Sequence, residues 1–193
     1  MPSIEFQIEA RSPLIMHNGQ LTDPLNEWSK ALKSVTGKRK KTDADHEEIG
    51  RLEFLGGLYL NEAGVPVVPG EAIEAMLQKE GARNKLRQQV LTGVICDGLF
   101  ELIYKGPKTA DALWKERNEF SYRRRVRNQQ NAVMRTRPIF RNWALRFTVE
   151  IISDEIDVAV VKDLVDGAGR HTGLMDWRPK YGRFRIVSSR SAA

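Results

Sequence analysis

Two stretches of this chain alternate apolar and polar residues without a break, and together they restrict the folds open to it. "SIEFQIEA" puts Ile4, Phe6, Ile8 and Ala10 on one face and Glu5, Gln7 and Glu9 on the other. "WALRFTVEI" sets Leu145, Phe147, Val149 and Ile151 against Arg146, Thr148 and Glu150. A period of two belongs to a strand buried on one face only. The expectation is an antiparallel sheet with helices on a single side.

The segments between and after these strands supply those helices. "PGEAIEAMLQKEGARNKLRQQV" opens a helix after Pro69 and Gly70, with Ile73, Met76 and Leu77 on one face. "VICDGLFELIY" reads as strand material around a tight turn or bulge at Asp97 and Gly98. Ile156, Val160 and Leu164 space a second helix ending near Gly167 and Gly169, and "RFRIV" is a last strand. The order strand, helix, strand, strand, helix, strand suits an α+β ferredoxin-like (RRM-like) βαββαβ core.

Two large insertions interrupt that order, residues 20–69 and residues 106–142. Connections so long are seldom idle. In the first, Trp28, Ala31, Leu32 and Val35 keep helical spacing, and Thr42 suits the N-cap of a second helix with acids in its first turn. "GGLYLNEAGVPVVPG" then reads as a small hairpin turning at residues 61–64. With 41% hydrophobic residues, the 193 residues are read as a single domain, 1–193, that carries both insertions.

Several functions are excluded by what is missing. One cysteine forms no internal disulfide, and three scattered histidines assemble no zinc spacing, so no metal or cofactor is expected. Cys96, inside "VICDGLF", reads as a buried, inert thiol. "GAGRHTG" has the wrong spacing for a dinucleotide loop and follows a helix, and no phosphate-binding GxxxxGK[ST] motif occurs. No apolar run approaches the roughly 18 residues of a membrane span, and the N-terminus lacks a basic region followed by an apolar one, so secretion is not expected. The expectation is a soluble, cytoplasmic protein without membrane partners.

Charge is concentrated in one place. The net charge is +6, yet residues 117–146 alone hold nine arginines against Glu119, so the remainder of the chain is slightly acidic. In "FSYRRRVRNQQNAVMRTRPIFRNW", arginines alternate on both sides of "NQQN", as they would to line the faces of a hairpin. Phe120, Tyr122, Phe140 and Trp143 bracket them. Phosphates take guanidinium donors and unpaired bases take flat rings, whereas a merely solvated face mixes its signs. The candidate nucleic-acid contacts here are Arg123, Arg124, Arg125, Arg127, Arg135, Arg137 and Arg141, with Tyr122 and Phe140.

A second stretch joins them. In "GLMDWRPKYGRF", the glycines explain a turn, but Trp177, Arg178, Lys180, Tyr181 and Arg183 exceed what a turn needs. A glycine-rich backbone can approach a phosphate chain closely, so this loop and the arginine hairpin are read as halves of one site. "GKRKKTDADHEE" is a loop leading into an acid-capped helix, with Lys38 and Arg39 as added phosphate contacts. RNA and DNA both present phosphates and stackable bases, so the sugar stays open. His17, Asp23, Asp43, Asp45 and His46 form no acid–base pair or carboxylate cluster, and catalysis is not the expectation.

"SPLIMHNG" at the end of the first strand, "PVVPGEAIEAML" at the first core helix and "GLMDWRPKYGRF" before the last strand resemble the RAMP superfamily, which includes backbone subunits of CRISPR effector complexes. The chain also resembles an uncharacterised phage-encoded branch carrying "MRTRPIFRNW"-type segments. The resemblance implies a ferredoxin-like core that binds single-stranded RNA along a row of subunits, with residues 106–142 as a thumb-like β-hairpin. It implies a homo-oligomer, in a filament or helical array, and other CRISPR-type subunits as partners, in the bacterial host cytoplasm if phage-encoded. Two alternatives accompany it. One is a RAMP-type endoribonuclease acting through Asp23 or His17, and the other a phage factor that mimics or blocks a host CRISPR complex.

Overall fold

The computed structural model describes residues 2–128 and 131–192. β1 (Ser3–Ala10) and the short β2 (Leu14–Ile15) precede a 3-10 turn (Gly19–Thr22), α1 (Glu27–Thr36) and α2 (Asp43–Gly57). β3 (Val67–Pro69) runs into α3 (Gly70–Arg83) and α4 (Arg87–Gly93), then β4 (Val94–Ile95), β5 (Leu99–Glu101) and β6 (Ile103–Tyr104). Two short helices, α5 (Ala110–Lys115) and α6 (Arg117–Phe120), lead to a long hairpin of β7 (Ser121–Asn128) and β8 (Asn131–Phe140). β9 (Trp143–Ile151), α7 (Val158–Gly167), a π-type turn (Ala168–Thr172) and β10 (Phe184–Ala192) complete the order.

The two alternating stretches become neighbours. β1 pairs antiparallel with both β9 and β10, and the main sheet runs β10-β1-β9-β4, with β6 also on β9. Phe6 stands opposite Phe147, their rings stacked at 5.4 Å. The apolar face of both strands is buried, as the alternation predicts. α3 adds Ile73, Met76 and Leu77 to the same core, and α7 adds Val161, Leu164 and Val165. Each such side chain contributes on the order of 1.5–3 kcal/mol through removal from water. The result is a mixed α/β fold with several sheets and large insertions, broadly compatible with a ferredoxin-like core.

Three local expectations change. The turn at residues 61–64 forms, with Gly64 N–H donating to Asn61 at 2.9 Å, but its flanks share only a single bridge, Leu60 to Pro66. Pro66 and Pro69 lack the N–H a ladder needs, and β3 pairs instead with β5. "VICDGLFELIY" breaks at Gly98, where φ is +111°, into three short strands, of which β5 leaves the main sheet. The second helix buries Val161, Leu164 and Val165; Ile156 precedes its Asp157 cap and Val160 is only half-buried.

The two insertions pack against each other. Glu53 of α2 accepts from Arg135 Nη1 at 2.5 Å and from Thr136 N–H at 2.8 Å on β8. Arg117 reaches Glu47 at 2.8 Å, and the Trp114 ring tilts against Phe54 at 5.3 Å. Gly50 lets β8 come close, since a Cβ there would stand 3.2 Å from Thr136 Oγ1. β8 also pairs with β2, giving a three-stranded sheet in the order β2-β8-β7. An isolated two-stranded hairpin is marginal in water, and these attachments fasten this one along β8. Among the described residues, no helix is long and apolar enough to cross a membrane.

Candidate nucleic-acid interface

Register decides which arginines share a face. Arg123 stands opposite Thr136 and Arg125 opposite Met134, while Arg124 faces Arg135 and Tyr122 faces Arg137. Directly paired residues project to the same side of a sheet. Arg123 and Arg125 therefore occupy one face, and Arg124, Arg135, Arg137 and Tyr122 the other. Arg123, Arg124 and Arg125 are exposed, and no described carboxylate lies within ion-pair distance of them. Arg135 is held by Glu53 and Arg137 by Asp176 at 3.2 Å. The Arg127 side chain, with Gln129 and Gln130, lies outside the described residues.

The C-terminal loop closes onto the base of this hairpin. The Tyr181 hydroxyl donates to the Tyr122 hydroxyl at 2.8 Å. Trp177 meets Tyr122 edge-on at 5.7 Å and stacks on Tyr181 at 6.0 Å. Arg137 lies over the Trp177 ring at 4.9 Å and Arg124 over Tyr122 at 5.2 Å, both cation–π contacts. The Tyr181 hydrogen bond favours the Tyr122 phenolate and lowers its pKa, and Arg124 adds to the effect. Desolvation raises the pKa of Tyr181, and its role as donor raises it further.

Backbone geometry holds the loop in place. Asp176 N–H donates to Ile15 at 3.0 Å and Gly182 N–H to Pro13 at 2.8 Å, so the loop is tied to the end of β1 and to β2. Gly182 has φ +73°, and a Cβ there would collide with the Leu174 carbonyl oxygen. Met175 and Trp177 carry side chains at φ +64° and +59°, a left-handed conformation that costs energy and persists only where surrounding contacts impose it.

The structure corrects the reading of the rings. Phe140 is 1% exposed and packs against Tyr104 and Phe120 in the core, because β8 turns that side chain inward where it pairs with β2. It has no face to offer a base. Phe120 and Trp143 are buried too, and the Trp143 indole N–H donates to the Ser12 carbonyl at 2.9 Å. Tyr122, Trp177 and Tyr181 remain near the surface, but Trp177 stacks on Tyr181, Tyr122 meets both edge-on, and all three carry cations on their faces. Their arrangement is that of a clasp that orients Arg124 and Arg137.

The remaining candidates are dispersed. Arg178 lines a small cavity of about 190 Å³ with His17, Tyr59 and Asp176. Lys180 and Arg183 are exposed, and Arg183 Nε donates to the Pro179 carbonyl at 2.8 Å. Arg141, at the turn after β8, lines a separate cavity of about 350 Å³ beside Glu116 and Glu119. Lys38 is paired with Asp45 at 2.5 Å, while Arg39 is exposed beside it. Asp45 also closes the capping box with Thr42 at the start of α2, and Lys38 with these hydrogen bonds lowers its pKa to about 2.

The catalytic candidates do not meet as a pair. Asp23 ends the 3-10 turn and its carboxylate accepts from Leu25 N–H at 2.9 Å, the work of a turn residue. His17 is exposed at the wall of a cavity of about 590 Å³ that Arg135, Arg137 and Trp177 also line. Desolvation there, followed by the Arg137 charge, lowers its pKa. Among the described residues, no group of three or more His, Cys, Asp or Glu side chains could hold a metal ion. Cys96 is buried, and burial pushes its thiol up to about 12.

No protein-family model matches the chain, and no curated protein matches it in sequence. Forty chains of solved structures match its fold. One belongs to the cryo-electron microscopy structure of the type III-B Cmr-beta bound to cognate target RNA, and it superposes with a TM-score of 0.57 at 10% sequence identity. The match covers 98% of this chain and 60% of the other, so the protein spans less than two thirds of that relative's length. This is a distant likeness of fold.

Proposed function

We propose that this protein binds single-stranded nucleic acid, RNA in preference to DNA, without regard to sequence, and oligomerises along it as a CRISPR-backbone-like subunit. In this reading a ferredoxin-like βαββαβ core, one domain, carries residues 20–69 and the thumb-like 106–142 as insertions. The observation that carries it is the hairpin: Arg123, Arg124 and Arg125 are exposed with no acid partner among the described residues, and the aromatic clasp sets Arg124 and Arg137 at its base. Guanidinium groups so arranged bind phosphate oxygens, and a phosphate backbone is common to every sequence. The sheet order β10-β1-β9-β4 and the fold likeness to a chain solved with Cmr-beta and target RNA support the same reading.

The test is a filter-binding titration of labelled oligo(U) and oligo(dT) at several salt concentrations. Replacing Arg123 and Arg125 together by Glu weakens binding to both. It also flattens the log–log salt dependence on RNA by about 0.7 for each phosphate that is no longer neutralised. Affinity unchanged by this double replacement would sink the assignment. Sedimentation with oligonucleotides of increasing length reports whether copies add in proportion to length.

A further inference from the structure

We infer that the nucleic-acid strand runs in a trench between the α1–α2 unit and the hairpin, and that Lys33 and Lys41, outside the arginine-rich segment, form its second bank. This rests on the binding reading above and assigns it a path.

The trench is a series of cavities that share walls. The cavity of about 590 Å³ beside Trp177 is bounded by Leu21, Leu32, Glu53 and Arg135, and a second of about 700 Å³ is bounded by the same four. The second shares His46 and Arg123 with a third, of about 540 Å³, which reaches Arg117. Each falls in the size range of pockets for single small ligands, the scale of a nucleotide.

Its floor is apolar from both sides. Leu21, Leu32 and Ile49 come from the α1–α2 side, and Met134 from the hairpin face that carries Arg123 and Arg125; Val126 and Val133, which the register places on the opposite face, also border the cavities. Met134 is 48% exposed. The cations divide into two sets. Arg117, Arg135 and Arg137 are ion-paired, whereas Lys33, Lys41, Arg123 and Arg125 are exposed with no described carboxylate within ion-pair distance. Asp43, Glu47 and Glu53 are the acids that line these cavities, and two of them are already neutralised by arginine.

An apolar floor between cationic rims matches an unpaired strand, whose base faces pack below while its phosphates meet the rims. A duplex keeps its base faces stacked inside and has nothing to offer the floor. An acidic peptide would satisfy the rims alone. Lys33 lies on α1 and Lys41 just before α2, so the 20–69 insertion becomes a wall of the binding site.

The experiment compares the Lys33→Glu/Lys41→Glu protein with the unaltered one on labelled oligo(U), and with Lys79→Glu/Arg87→Glu as an equal charge change on α3 and α4. The path requires a tenfold or greater loss for the first pair, a salt slope lower by about 1.4 for two phosphates, and a loss several-fold smaller for the second. Equal losses in both pairs overturn the path and leave general electrostatics; no loss in the first pair overturns the path while binding itself stands. Absence of binding by the unaltered protein overturns the function instead. Poly-glutamate that displaces the oligonucleotide at equal charge concentration would assign the trench to acidic peptides. Circular dichroism verifies that the charge-reversed proteins keep their fold.

Discussion

Tyr122 and Tyr181, 59 residues apart, share a hydroxyl–hydroxyl hydrogen bond of 2.8 Å that couples the C-terminal loop to the arginine hairpin. Tyr181 is the donor, which lowers the pKa of Tyr122; that of Tyr181 rises through desolvation first and through its role as donor second. Tyr181→Phe removes the donor and leaves the rings together. Ultraviolet titration of tyrosinate should then show Tyr122 ionising at higher pH than in the unaltered protein, and oligonucleotide affinity should fall only a few-fold.

Glu53 joins the two insertions. It is 4% exposed and satisfies both Arg135 and the buried Thr136 N–H. Glu53→Ala strands that N–H and leaves Arg135 unpaired, at a cost of about 2–4 kcal/mol. Glu53→Gln keeps an acceptor for Thr136 and should cost less than half as much. Denaturant midpoints for the two variants check the ranking.

Trp177 tests whether the strained loop serves the clasp. Ala retains the left-handed strain and loses the ring; Gly loses the ring and is free of the strain. Trp177→Gly should therefore be more stable than Trp177→Ala by up to about 1 kcal/mol. Both should bind oligonucleotide more weakly, because Arg137 loses the ring beneath it. Thermal unfolding separates the first effect, and titration measures the second.

The pKa of His17 is lowered in the folded state, so the native protein binds fewer protons than the unfolded chain as pH falls through the ordinary histidine value of 6.5. Its contribution to stability is complete above that value and declines as pH drops from there toward the lower folded pKa. His17→Asn should remove this part of the acid sensitivity. The check is a comparison of denaturant midpoints at about pH 8 and pH 5 for both proteins, where the variant should lose less on acidification.

Much of the scaffold could be read from local pattern. The alternation in "SIEFQIEA" and "WALRFTVEI" names the residues that turn inward, because neighbouring strand side chains point to opposite faces. Thr42 and Asp45 announce the start of α2 for an equally local reason, the unpaired N–H groups of a first helical turn. The density of arginine between residues 117 and 146 likewise needs no coordinates.

What depended on tertiary structure is which distant side chains meet. Phe140 and Tyr122 look alike in the sequence as rings flanking arginines. The pairing of β8 with β2 turns one into the core, and the loop from Gly173 draws the other into the clasp. Glu53 looks like one acid among several on a helix until Arg135 and Thr136 arrive from more than eighty residues away. Composition and periodicity report the backbone's local geometry and the sign of the charge. Whether a cation is paired, a ring is free or two insertions form one wall is decided by contacts between residues far apart in the chain.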